Sequence, residues 1–228
     1  MLPAFVDSAA RVTTYFKRLG QRIQEEWLPV HYDPRQLPAV AERALREDAP
    51  HASIQPHDVS NWFLATASRP SQPNADTNFG QPPIAVYYHD HFYIEILVWL
   101  DGTTDIHQHS FDGAFCVLGG SSIHSTYRFH ECARTSERVL LGDVEHLHSE
   151  LLQPGDVRAI ASGSSFIHSL FHLDRPSMSV VVSTGHTTST PVVAALISAP
   201  MQIQAFELFD VISPVVSFVL LPWTNWRA

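Results

Sequence analysis

The sequence predicts a mainly β protein, an antiparallel sandwich or barrel preceded by an N-terminal helical region. Three observations predict it. Apolar residues recur at helical spacing near the N-terminus, a proline-rich connector ends that pattern, and short β-branched and aromatic runs then follow one another between turn residues.

From Ser8 to Trp27, the residues Val12, Phe16, Leu19, Ile23 and Trp27 fall on one helical face, and Gly20 weakens the pattern without breaking it. "PRQLPAVAERALRED" and "PHDVSNWFLATAS" predict two further short helices. Residues 69–83, "RPSQPNADTNFGQPP", are a connector. The strand-like runs are "IAVYY", "HFYIEILVW", "AFCVLGG", "SSIHSTYRF", "RVLLGD", "EHLHSELL", "DVRAIA", "SFIHSLFHL" and "SMSVVVST". "GSS" and "GDVEHLHSE" read as turn and hairpin chemistry. The apolar tail from Pro191 to Phe218, interrupted by Pro200 and Pro214, is expected to add short helices or a strand packed on the barrel. The expected organisation is one folding unit: helices and connector over 1–83, the barrel over 84–190 and a C-terminal extension over 191–228.

Composition excludes several function classes. A net charge of -9 without a Lys/Arg cluster argues against nucleic acid, whose binders displace counterions with basic residues, and favours a small or cationic partner. Cys116 and Cys132 form no disulfide framework, no stretch has the length of a membrane span, and a cytoplasmic location is expected. Gly-x-Ser-x-Gly, Walker, dinucleotide and Cys-x-x-Cys signatures are absent.

The chemistry concentrates in "DGTTDIHQHSFDGAFCVLGG", residues 101–120. On a strand, His107 and His109 point to the same face, and paired imidazoles suit a metal ion. Where a carboxylate ligand would follow, the chain has Gly113 and Ala114.

These residues resemble the cupin superfamily. Gly102, His107, His109 and Gly120 match its first block without the glutamate, and "LLQPGDVRAIASGSSFIHSLFHL" is similar to its second, with His168 as the ligand histidine and His172 where the family has asparagine. The resemblance implies a jelly-roll barrel. Within the superfamily the chain looks most like the cysteine dioxygenase type, in which three histidines hold ferrous iron. It implies Fe(II) at His107, His109 and His168, with a small polar metabolite and dioxygen as partners; a homodimer stays open.

The chain departs from that group in carrying neither the Ser-His-Tyr relay nor the arginine that pairs with the substrate carboxylate. The alternatives are a metal-dependent isomerase or lyase and a non-catalytic ligand-binding cupin. His172 shares the face of His168 about 13 Å along a regular strand, as a pocket acid/base or a core histidine. Tyr127, with Tyr87 and Tyr93, could hydrogen-bond dioxygen or substrate. Glu95 and Arg128 are candidate substrate anchors, with a solvated face the simpler reading for both. His124, His130, His146, His148 and His186 are expected at the surface. Free cysteine should be a poor substrate; oxygen consumption with cysteine at roughly 1 per second or faster would contradict this.

Overall fold

The structure is a computed structural model that describes residues 3–66, 69–74, 80–100, 104–136, 139–184, 193–196 and 215–218. Helix α1 (Pro3–Trp27) runs unbroken through Gly20 and buries Val12, Phe16, Leu19, Ile23 and Trp27. The glycine has a packing reason. A Cβ there would lie 2.5 Å from the Tyr87 ring, so its absence lets the helix close on strand β1 (Pro83–His89). Helix α2 (Leu37–Glu47) buries Leu37, Val40, Ala41, Ala44 and Leu45, and two shorter helices follow, α3 (Pro50–Ser53) and α4 (Pro56–Ala65). Buried Asp58 joins α4 to α1. Its carboxylate accepts from the Gln55 backbone N–H at 2.9 Å and from the Ser8 hydroxyl at 2.6 Å, so an orphan donor at the helix start is satisfied.

The β region is a jelly-roll sandwich of two hydrogen-bonded sheets. The first has the order β1-β2-β9-β4-β7, adding β2 (Phe92–Trp99), β4 (Gly113–Gly119), β7 (Val157–Ile160) and β9 (Ser177–Thr184). The second has the order β10-β6-β5-β8-β3-β11. Its strands are β3 (Ile106–His109), β5 (Ser122–Ser136), β6 (Val139–Leu152), β8 (Ile167–His172), β10 (Val193–Leu196) and β11 (Val215–Phe218). Every pairing is antiparallel except β10 on β6. β10 and β11 place two pieces of the apolar tail at the edges of the second sheet; His186 lies outside the described residues.

The first sheet is covered on both faces, which explains why β2 is buried along its whole length. Phe92, Ile94, Ile96 and Val98 join the core shared with α1, α2 and α4, as do Ala114, Cys116 and Val180. The alternate residues Leu97, Trp99, Phe115, Val117 and Val181 meet Leu152 and Leu170 between the sheets. By the same alternation Tyr93 and Glu95 face that interior.

The structure changes one local expectation. "RVLLGD" and "EHLHSELL" are a single strand, β6, in a long hairpin with β5, rather than two strands around a turn. Gly142 accounts for the difference: a Cβ there would lie 2.1 Å from the His130 carbonyl oxygen, so the glycine permits a close inter-strand approach at a bulge rather than a reversal.

Candidate metal centre

β3 and β8 pair with His107 directly opposite His168, and alternation brings His109 to the same inner face. The three donors converge. The Nε2 atoms of His109 and His168 are 2.9 Å apart, and those of His168 and His107 are 3.0 Å apart. All three side chains are buried, with the rings of Phe111 and Phe166 each 4.6 Å from a triad imidazole and Phe115 at 6.0 Å from His168. Burial pushes the His107 pKa down to about 4 and holds His109 and His168 well below the usual histidine range, so the imidazoles are neutral.

The hydrogen bonds fix which nitrogens carry protons. Nδ1 of His107 lies 2.7 Å from the Asp105 carbonyl oxygen, an acceptor only, so it is the N–H and Nε2 keeps its lone pair. His168 is set through a longer path. Arg158 donates to both oxygens of Glu150, from Nε at 2.8 Å and from Nη2, and holds that carboxyl down at about 2. Glu150 is therefore an acceptor at neutral pH, and His124, with Nδ1 3.1 Å away, donates to it. Nε2 of His124 is then a lone pair and accepts from Nδ1 of His168 at 3.0 Å, leaving Nε2 of His168 unprotonated. Two lone pairs thus face each other at 3.0 Å, an arrangement that repels unless a cation lies between them. Neutral imidazoles with oriented outer nitrogens fit a divalent transition metal.

The structure also accounts for the missing carboxylate. A Cβ on Gly113 would lie 1.9 Å from the Val182 carbonyl oxygen, so no side chain fits, and Ala114 faces the helix side. Cys116 shares that side, buried, with its thiol pushed up to about 12.

His124 corrects an expectation: it is 1% exposed rather than at the surface, and it is the residue through which Glu150 orients His168. His130, His146 and His148 are exposed. Glu95 is 5% exposed, against the simpler reading of a solvated face. Its carboxylate accepts from the Asn74 amide at 2.9 Å, and burial pushes its pKa up to about 7. Arg128 lies on the solvated face, paired with Glu145 at 3.2 Å.

The remaining candidates sit apart from the triad. Tyr87 packs in the helix-side core. Tyr127 stands opposite Ile167 on the outer face of its sheet, its hydroxyl 3.2 Å from Ser169 Oγ. His172 stacks on Trp99 with ring centroids 4.8 Å apart, its Nδ1 held by the hydroxyls of Ser122 and Ser177 at 2.9 and 2.7 Å. Burial lowers its pKa to about 4, and its Nε2 is buried without a hydrogen-bond partner.

The chain is thus a jelly-roll sandwich with three histidines buried together on the inner face of its second sheet. No family model matches the chain, and no curated protein matches it. Solved structures similar to it include the DMSP lyase DddQ from Ruegeria pomeroyi, with 17% identity over 78% of this chain and 95% of that one and a TM-score of 0.41. Hydroquinone 1,2-dioxygenase from Sphingomonas sp. TTNP3 is similar at 13% identity, covering 54% of this chain and 74% of that one, with a TM-score of 0.37. A cupin-2 domain protein from Shewanella frigidimarina is similar at 14% identity, covering 48% and 85%, with a TM-score of 0.32. These similarities concern the β fold and assign no activity to this chain.

The hydrogen-bond path generates a prediction. Removing an outer-shell partner of a metal-bound histidine commonly costs about 10–100-fold in affinity, so Glu150→Gln and His124→Ala should each weaken metal binding by that factor in chelator competition. His172→Gln should not. Unchanged affinity in both of the first two variants would show that the path does not orient His168.

Proposed function

We propose that the chain is a mononuclear non-haem iron oxygenase acting with dioxygen on a small polar metabolite other than free cysteine. The observation that supports it is the buried convergence of three neutral imidazoles, two of them with lone pairs directed at one point by an acceptor outside the site. Ferrous iron held by His107, His109 and His168 would supply one-electron chemistry with dioxygen and open positions for an anionic donor. Because the ligands carry no charge, the ion's full dipositive field favours such a donor. Around it, Phe111, Phe115 and Phe166 exclude water, which strengthens each electrostatic contact. Glu95 holds or releases a proton near neutral pH on the interior face of β2.

That last feature favours a second reading. A buried carboxyl titrating near neutrality suits proton abstraction from a substrate polarised by the metal, as in a lyase or isomerase, with no oxygen consumed. Oxygen uptake separates the two.

Protein expressed with iron available should carry about one iron per chain by elemental analysis, as one three-histidine site requires. His168→Ala should lose most of it while the fold persists by circular dichroism. Iron retained in His168→Ala would remove the site, and turnover of a substrate without oxygen uptake would replace the oxygenase reading with the lyase one.

A further inference from the structure

We infer that Glu95 is a recognition carboxylate, held by Asn74 on the inner face of β2, which takes the cationic end of a small zwitterionic ligand whose anionic end reaches the histidine triad. The anionic end rests on the metal reading above; the cationic end stands on Glu95 alone.

The bonding of Glu95 is incomplete for a buried carboxylate. Its two oxygens share one donor, the Asn74 amide nitrogen, which also reaches the Tyr93 hydroxyl at 2.9 Å. An ionised carboxylate offers about four acceptor sites. No lysine or arginine among the described residues pairs with it. Other carboxylates of low exposure are more fully supplied: Asp58 has a hydroxyl, a backbone N–H and Arg11, Glu26 has Arg22 and Arg43, Glu150 has Arg158 and His124, and Asp112, without a cation, takes a backbone N–H and a hydroxyl from Ser162. Among the described residues Glu95 has a single side-chain donor and no cation. Buried charges persist where they are paired, and no described residue supplies that cation, so the inferred partner of an ionised Glu95 is a ligand cation.

Its position fits a ligand shared with the triad. Glu95 stands opposite Val181, and Val181 stands opposite Phe115, all facing between the sheets. The Phe115 ring is 6.0 Å from that of His168. Two strand spacings separate Glu95 from Phe115, about 10 Å across the sheet, and the triad lies beyond the Phe115 ring, so the ligand is a flexible chain of several methylenes with charged ends. A proton now occupies Glu95 part of the time at neutral pH, and a ligand cation would replace it. The net charge of -9 adds a field that attracts cations to the molecule.

The test uses pairs of probes that differ only in an ammonium or a methyl at one end: 3-aminopropionate with butanoate, 4-aminobutyrate with pentanoate, and 5-aminopentanoate with hexanoate. Binding to the full chain is measured by titration calorimetry at pH 8, with the protein metal-free and with cobalt(II) added. At least one ammonium probe should bind roughly tenfold or more tightly than its methyl partner, the scale of one charge-assisted hydrogen bond. Glu95→Gln, which keeps the shape and removes the buried charge, should abolish that ratio while cobalt stoichiometry and melting temperature are retained. A preference seen on both metal-free and cobalt-treated protein, with no cobalt bound, would uphold the cation site and remove the metal reading. Equal binding within every pair, no binding of any probe, or a ratio that survives in Glu95→Gln overturns the inference; should that variant not fold, the wild-type ratio decides alone.

Discussion

The site depends on one constraint, the ion pair between Arg158 and Glu150. Arg158 keeps Glu150 ionised, Glu150 fixes the proton of His124, and His124 fixes that of His168. A formal charge on the second sheet's partner strand β6 thereby chooses the tautomer of an imidazole two strands away, on β8. Without it, His168 and His107 could relieve their 3.0 Å contact by sharing a proton at Nε2. With it, that exchange would leave a lone pair of His124 facing a carboxylate. The cost of that unfavourable pairing is moved onto the triad, where a cation relieves it.

The surrounding fold makes this possible by burying both faces of the first sheet. Helices α1, α2 and α4 seal its outer side, so that the inner residues Phe115, Val181 and Leu97 form a dry wall opposite the histidines. Close backbone approaches at Gly20 and Gly113 set that geometry. Gly113 in particular admits no side chain, so strand packing rules out a carboxylate ligand from that position.

Much of this was legible in the sequence, and the part that was not has a physical reason. Helical spacing from Val12 to Trp27 marks α1, and the His-x-His pair marks an inward-facing strand, because both depend only on local periodicity. The tie between His168 and that pair came from resemblance, and it agrees with the observed pairing of β3 with β8. His124 reads as a surface residue in sequence because its burial depends on β5 lying beside β8, a strand order that no local pattern reports. Its alternation with Ser122 was available, but not which face was inside. Glu95 raised the same difficulty: a glutamate among apolar residues looks solvated until the helices are known to cover the other face. The single strand β6 reads as two in sequence because a glycine serving a bulge is indistinguishable there from one serving a turn.

Fixed acceptors direct two imidazole lone pairs at one point, and nitrogen-detected NMR of the histidine rings in the metal-free protein reads out where each proton lies. His107 and His168 should carry their protons on Nδ1, with both Nε2 atoms unprotonated, and adding zinc as a diamagnetic probe should perturb those Nε2 resonances first. A proton on Nε2 of either His107 or His168 would contradict it.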